Sequence, residues 1–282
     1  MVIQEIKLQD KAYPAALAEI HDAPERLYVL GTLPDMPMLT VVGTRRPTAY
    51  GRQITRQLAG ECARAGFAIV SGLAIGLDTV AHEAALEVGG VTVAVMAGGL
   101  DRIHPASNRE LAKRILATGG CIISEYPTGV QPQKHSFVLR NRIAAGLSEG
   151  IIVTEAQARS GTLITCNYGL AENRVIMAVP GNVTSLMSAG PNNLIRSGAV
   201  PVTSSSDVLI ALGYENSASA QSITHYNKEE SGIIDLIGRG YNSTEQILKE
   251  SAFTPAELAS TLSLMEISGK IRNLGAGQWA AS

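Results

Sequence analysis

An α/β fold, in which a doubly wound and mostly parallel sheet is followed by a small C-terminal helical domain, is what this 282-residue sequence predicts. Three observations predict it. Short aliphatic runs alternate with helix-length stretches from Leu39 to Leu212, which is the rhythm of βαβ units. Residues are 45% hydrophobic but only 4% aromatic, so the core must be aliphatic, as suits strands buried on both faces. Past a small, polar segment at 215–222, helical spacing replaces the strand pattern.

The first strand is expected at 39–43, where Leu39, Val41 and Val42 lead into Gly43. Residues 51–65 then place Ile54, Leu58 and Cys62 at helical spacing. A second strand at 67–71 is followed by a helix from near Asp78, a residue able to cap it. Further buried strands are expected at 91–96, 121–124, 150–154 and 175–179. Helices near 108–117, 137–147 and 161–171 separate them, and a last one covers 207–212. The domain plan is therefore an N-terminal extension packed on the core (1–38), a Rossmann-like domain (39–213), a linker (214–225) and a C-terminal domain (226–282). In the last, Ser243 with Gln246 and Thr254 with Glu257 fit the capping box, and Pro255 takes the first helical position. The helix from Pro255 carries Leu258, Leu262 and Met265 on one face, and 270–280 reads as a hairpin turning at Gly275-Ala276-Gly277. Helices followed by a hairpin predict a winged helix-turn-helix.

In an open parallel sheet, ligands bind beyond the carboxyl ends of the strands. The segments there are Gly43-Thr44-Arg45-Arg46, Ser71-Gly72-Leu73-Ala74, Ala97-Gly98-Gly99-Leu100-Asp101 and Ser160-Gly161-Thr162. They supply glycine for close backbone approach, hydroxyls for anions, and helix N-termini that favour phosphate. One such turn is ordinary chain reversal; four at one sheet edge, two beside arginine, point to an anionic ligand. Gly43-Thr44-Arg45-Arg46-Pro47 is not GxGxxG and no GxxxxGK[ST] occurs, which disfavours dinucleotide dehydrogenases and P-loop ATPases. Asp78, Asp101 and Glu125 near strand ends read as cap or turn residues, and no Ser/His/Asp order or paired carboxylates stand out, so no catalytic residue is predicted.

The formal net charge of -2 excludes a globally basic nucleic-acid binder but leaves room for a local patch. Residues 41–60 hold Arg45, Arg46, Arg52 and Arg56 with no acid. Residues 131–146 hold Lys134, His135, Arg140 and Arg142, again with no acid, and Phe137 lies between. A solvated basic face would explain the charges alone. A ring among cations, with Arg45 at a strand's carboxyl end, is what a single-strand binder uses for base and phosphate. The three cysteines (Cys62, Cys121, Cys166) are far apart with no CxxC, and the five histidines are dispersed. They read as core thiols in a reducing compartment, with neither metal nor cofactor. With no charged-then-apolar leader and no apolar run of about 18 residues, a cytoplasmic protein without a membrane span is expected.

At these residues the sequence resembles the DNA-processing protein A family (DprA, also called Smf). The resemblance runs from about Tyr13 to Ala199 through motifs in order. They include Val42 to Arg45 with Thr48 to Gly51, Ser71 to Asp78, Gly98 to Asp101 with Pro105 and Asn108, and Ser124 to Pro127. Arg140 to Ile143, Glu155-Ala156, Ser160 to Thr165 and Val179-Pro180-Gly181 continue the series. The resemblance implies an extended Rossmann fold that dimerises through its C-terminal part and binds single-stranded DNA. It also implies a RecA-type recombinase as partner, loaded onto incoming strands in natural transformation. Carried over by motif, Arg45 and Lys134 would contact phosphates, Phe137 would support or stack on a base, and Arg140 and Arg142 would line the pocket. Gly43, Thr44, Arg46, Ser71, Gly72, Asn141, Ser160, Gly161 and Thr162 complete the implied site. Two positions depart from the commoner pattern: Val138 stands where proline often follows the phenylalanine, and His104 where tyrosine usually precedes Pro105.

Two other readings compete. A nucleotide N-glycosidase of the lysine-decarboxylase-like family has a similar sheet, but Thr165 sits where that family's acid/base glutamate should be, and threonine has no pKa suited to the role. A nucleotide sensor that reads DNA with its winged helix would need a basic C-terminal domain. Residues 226–282 instead contain five basic and seven acidic side chains.

Overall fold

The aliphatic runs become the middle of a nine-stranded sheet in the computed structural model, which describes residues 2–214, 228–251, 253–267, 270–275 and 277–281. The chain divides into two units, Met1–Ser217 and Ala218–Ser282. In the first, the order is β1 (Gln4–Lys7), α1 (Ala15–Ala18), β2 (Arg26–Gly31), β3 (Met38–Val42), α2 (Ala49–Arg64), β4 (Ala68–Ser71), α3 (Leu77–Glu87) and β5 (Thr92–Val95). Then follow α4 (Arg109–Ala117), β6 (Cys121–Ser124), α5 (Lys134–Leu147), β7 (Gly150–Val153), α6 (Gly161–Ala171), β8 (Val175–Ala178), α7 (Ala189–Arg196), β9 (Val200–Pro201) and α8 (Ser205–Ala211).

Across the sheet the strands run β1-β2-β6-β5-β4-β3-β7-β8-β9. From β3 the chain builds outward through β4, β5 and β6, then returns to lay β7 on the other side of β3. Leu39 pairs with Gly150 and Val42 with Val153, in parallel. Strand order reverses between β3 and β7, and a doubly wound sheet binds ligands in the crevice at that reversal. Helices α2, α3 and α8 cover one face, packing Leu58, Ala81 and Val208 on Leu39, Val41 and Ile69. Helices α5 and α6 cover the other, with Ile143 and Leu147 against Val70 and Val93, and Cys166 against Val42 and Ile151. All three cysteines are buried, and burial pushes each thiol up to about 12. They are core residues, as read from sequence.

Several expectations need correction. Residues 1–38 do more than pack on the core: β2 pairs antiparallel with β6, and β1 with β2, so the sheet begins well before Leu39. These strands alternate or are mostly exposed, with only Ile6 buried in β1, and so lack a continuous aliphatic run. Helix α5 starts at Lys134 instead of 137, because the Ser136 hydroxyl accepts the Gln133 amide at 3.2 Å and fixes an earlier first turn. Asp78 does not cap α3. Gly76, with φ of 92°, holds that place, since a Cβ there would lie 2.5 Å from the Thr44 carbonyl. Helix α7 and strand β9 have no counterpart in the elements read from sequence.

The second unit contains α9 (Lys228–Gly238), α10 (Thr244–Glu250), α11 (Pro255–Ile267), β10 (Ile271–Gly275) and β11 (Gln278–Ala281). Both capping boxes form: the Gln246 amide donates to the Ser243 hydroxyl at 3.2 Å, and the Thr254 amide to Glu257 at 2.9 Å. Leu258, Leu262 and Met265 are buried with Ile233, Ile247, Ile271 and Trp279. Most of the expected linker, and Ala276 in the expected turn, lie outside the described residues.

Candidate nucleic-acid interface

Strand β3 delivers Gly43, Thr44 and Arg45 to the reversal point, where they meet Glu155 just beyond β7. The Thr44 amide donates to the Glu155 carbonyl at 2.8 Å. The Glu155 carboxylate, 1% exposed, accepts the Thr48 amide at 2.9 Å and the Thr48 hydroxyl at 2.5 Å. Thr48 in turn caps α2 by accepting the Gly51 amide at 3.1 Å. Glu155 therefore ties the turn after β3 to the loop after β7. A Cβ on Gly43 would fall 2.4 Å from Cδ1 of the buried Leu77 and 3.0 Å from the Glu155 carbonyl, so this close approach favours glycine.

Between these loops opens a cavity of about 260 Å³. Gly43 to Arg45, Gly72, Ala74 and Asp78 form one side, and Phe137, Val138, Arg140, Asn141 and Ala144 of α5 another. Ser160, Gly161, Thr162 and Thr165 close it at the start of α6, where the Ser160 hydroxyl caps the helix by accepting the Thr162 amide at 3.2 Å. Arg140 forms the floor and is only 6% exposed. Its Nη1 donates to the carbonyls of Gly72, at 2.7 Å, and of Val95. Burial lowers the pKa of Arg140; Asp78 opposes that shift and Arg45 adds to it. Arginine still keeps its proton. Burial raises Asp78, against the pull of Arg140 and of the Gly72 and Ala74 amides that donate to it at 3.1 and 3.3 Å. Asp78 thus braces the turn after β4, where Leu73 adopts φ of 56°, a conformation L-residues seldom take.

At the rim, the exposed Arg45 guanidinium lies over the Phe137 ring, 5.7 Å from its centroid. The His104 ring lies beside Phe137 at 5.8 Å, tilted by 54°. Phe137 is half-buried and belongs to the cavity wall.

Ten of the expected residues line this cavity: Gly43, Thr44, Arg45, Gly72, Phe137, Arg140, Asn141, Ser160, Gly161 and Thr162. Four do not. Arg46 and Lys134 are exposed outside the lining. Ser71 is fully buried and donates to the Val41 carbonyl at 2.7 Å, holding β4 to β3. Arg142 is buried and ion-paired with Asp22 at 2.9 Å and Glu125 at 2.6 Å. It lies two residues from Arg140, and residues so spaced on a helix do not share a face. The cavity stripe is Phe137, Arg140, Asn141 and Ala144, a helical period that was present in the sequence as a signal. Asp78, Ala74, Val138 and Thr165 are lining residues that the sequence reading did not assign. Nor does the acid-free run 41–60 form one patch, since Arg56 pairs with Glu87 and, at 3.8 Å, with Glu83 of α3. Among the described residues no cluster of His, Cys, Asp or Glu could hold a metal ion, and no helix is long and apolar enough to cross a membrane.

A family model described as DNA recombination-mediator protein A matches residues 4–213. The chain belongs to this family. It is 40% identical to the DNA processing protein DprA of Bacillus subtilis over 220 residues, covering 76% of this chain and 73% of that one. The structure is similar to that of DNA processing protein A from Streptococcus pneumoniae, with a TM-score of 0.70, 42% identity and 74% of each chain covered. It is also similar to DNA processing protein A from Helicobacter pylori, with a TM-score of 0.66 and 32% identity, over 75% of this chain and 96% of that one. That H. pylori structure is described as giving insight into a single-stranded DNA binding mode.

Proposed function

We propose that this family member binds single-stranded DNA at the cavity between β3 and β7 and acts as a recombination mediator without catalysing a reaction itself. It would protect incoming strands in natural transformation and load a RecA-type recombinase onto them in the cytoplasm. The arrangement that carries this reading is Arg45 over Phe137 at the mouth of a cavity floored by Arg140 and closed by the start of α6. A cation for phosphate and a ring for the base are the elements that hold a single strand. The single-strand description of the H. pylori protein supports the same choice of ligand. Arg46 and Lys134, exposed outside the cavity, would contact phosphates of the flanking strand. Arg142, ion-paired with Glu125, would hold α5 in place and would not contact the strand.

A two-fold dimer through the C-terminal part of the Rossmann domain would join two cavities and raise affinity for strands long enough to reach both. The apolar residues of that part are Leu194, Ile195, Val208, Leu209 and Ile210; Val208 is buried in the core, whereas Ile210 is 55% exposed and could face a partner. The acidic excess over 226–282 suits a protein-contacting or self-regulating role better than a DNA-reading winged helix.

A gel-shift comparison of single-stranded and duplex oligonucleotides tests the reading. Preference for the single strand, lost in Arg45→Ala, is expected. Equal binding of duplex, or an Arg45→Ala protein that binds like the parent, would overturn it.

A further inference from the structure

The His104 ring packs beside Phe137 yet is not among the residues that line the cavity. His104 belongs to the loop between β5 and α4, which emerges at the same carboxyl edge of the sheet as Gly43 and Gly72. This loop is braced without help from the imidazole. Asn108 donates to the Leu73 carbonyl at 2.8 Å and to the Thr79 hydroxyl at 2.9 Å, tying it to the turn after β4. Asp101 accepts the Gly129 amide at 2.9 Å, and the Gly99 amide donates to the Val130 carbonyl at 2.8 Å, tying it to the segment before α5. His104 is thus an exposed flat ring on a fixed loop, beside the aromatic wall of the cavity.

Arg45 and His104 flank the same phenylalanine, with the guanidinium 5.7 Å and the imidazole 5.8 Å from its centroid. A strand with a phosphate against Arg45 would bring a neighbouring base to Phe137 and within reach of His104. We propose that His104 is a base-contacting residue, a second stacking platform that extends the binding face beyond the cavity toward the loop before α4. The proposal rests on the single-strand reading above. The contact is through the ring face and not through charge, because successive bases on a single strand are held by stacking while cations hold the phosphates.

Equilibrium binding of oligothymidylate, followed by fluorescence anisotropy over a range of salt concentrations, tests this in the full chain. His104→Ala should weaken binding at least about fivefold with no change in salt slope, the low end of one lost base–ring contact. His104→Tyr, which keeps a ring and gives up the imidazole, should restore it. On an oligomer of abasic sugars, which keeps the phosphates and lacks bases, parent, His104→Ala and His104→Tyr proteins should bind alike. Parent-like affinity of His104→Ala for oligothymidylate would overturn the proposal, as would failure of tyrosine to rescue or a loss that persists on the abasic strand. Arg45→Ala measured alongside separates the two ideas. If it weakens binding while His104→Ala does not, only the platform fails; if it has no effect, the single-strand reading itself fails.

Discussion

At the scale of single residues, the cavity sets charges at two depths. Arg45 is exposed at the rim, and Arg140 is locked under Gly72, so of these two arginines only Arg45 is free to move. Arg45→Ala and Lys134→Ala should each weaken binding of all sequences alike and lower the salt slope by about 0.7, the single-strand value per phosphate contact. Titrations at several salt concentrations check this, and unchanged slopes in both would remove these contacts. A second expectation concerns acid stability. His82 is fully buried, its Nδ1 is 2.6 Å from the Thr92 hydroxyl, and burial, helped by Arg140, lowers its pKa from 6.5 to about 3. Between those values the unfolded chain takes up a proton that the folded chain refuses, so His82 removes stability as pH falls from 6.5 toward 3 and has no such effect above. Urea midpoints measured from pH 7 to pH 4 should therefore drop less steeply in His82→Gln; equal slopes would show that another group controls the acid limb. The place of Arg45 at the cavity was legible in the sequence because it lies two residues beyond a glycine at a strand's carboxyl end. The true partners of Arg142 and Arg56 were not, because Asp22, Glu125, Glu83 and Glu87 come from elements remote in sequence.

At the scale of elements, the site depends on how closely α5 approaches the turn after β4. A Cβ on Gly72 would stand 2.3 Å from Arg140 Nη2, and that guanidinium is buried and bonded to two carbonyls. Gly72→Ala should therefore lower the melting temperature and single-strand affinity together, by about 1–3 kcal/mol in stability as for other overpacked cores. Denaturation and binding measured on the same preparation check it; a parent-like protein would show that Arg140 moves freely. The parallel strands from β3 to β8 were legible because both of their faces are covered, which forces runs such as Leu39 to Val42 and Cys121 to Ile123. Strands β1 and β2 were not, since antiparallel strands at the margin of a sheet need few apolar residues: Ile6 is the buried one in β1, and Leu27 and Val29 are the buried pair in β2. The start of α5 was missed for a subtler reason. Its cap is a Gln133–Ser136 pair, and a glutamine at that position is a weak start signal.

At the scale of the whole molecule, DNA binding and the acidic C-terminal unit should be separable. A chain ending at Ser222 should keep single-strand affinity within a few-fold of the full chain, and residues 223–282 alone should bind no DNA. Duplex binding by the isolated segment at physiological salt would show that the charge argument fails. The two edges of the nine-stranded sheet carry a further consequence. Unpaired edge backbone is a template onto which other chains can add strands, the first step toward cross-β aggregation. Here β1 turns Gln4, Glu5 and Lys7 to solvent, and β9 is two residues long and ends in Pro201, which has no N–H to offer. Both margins are therefore poor seeds for fibrils. Two copies that meet would then do so through side chains on helices and loops and not by extending the sheet.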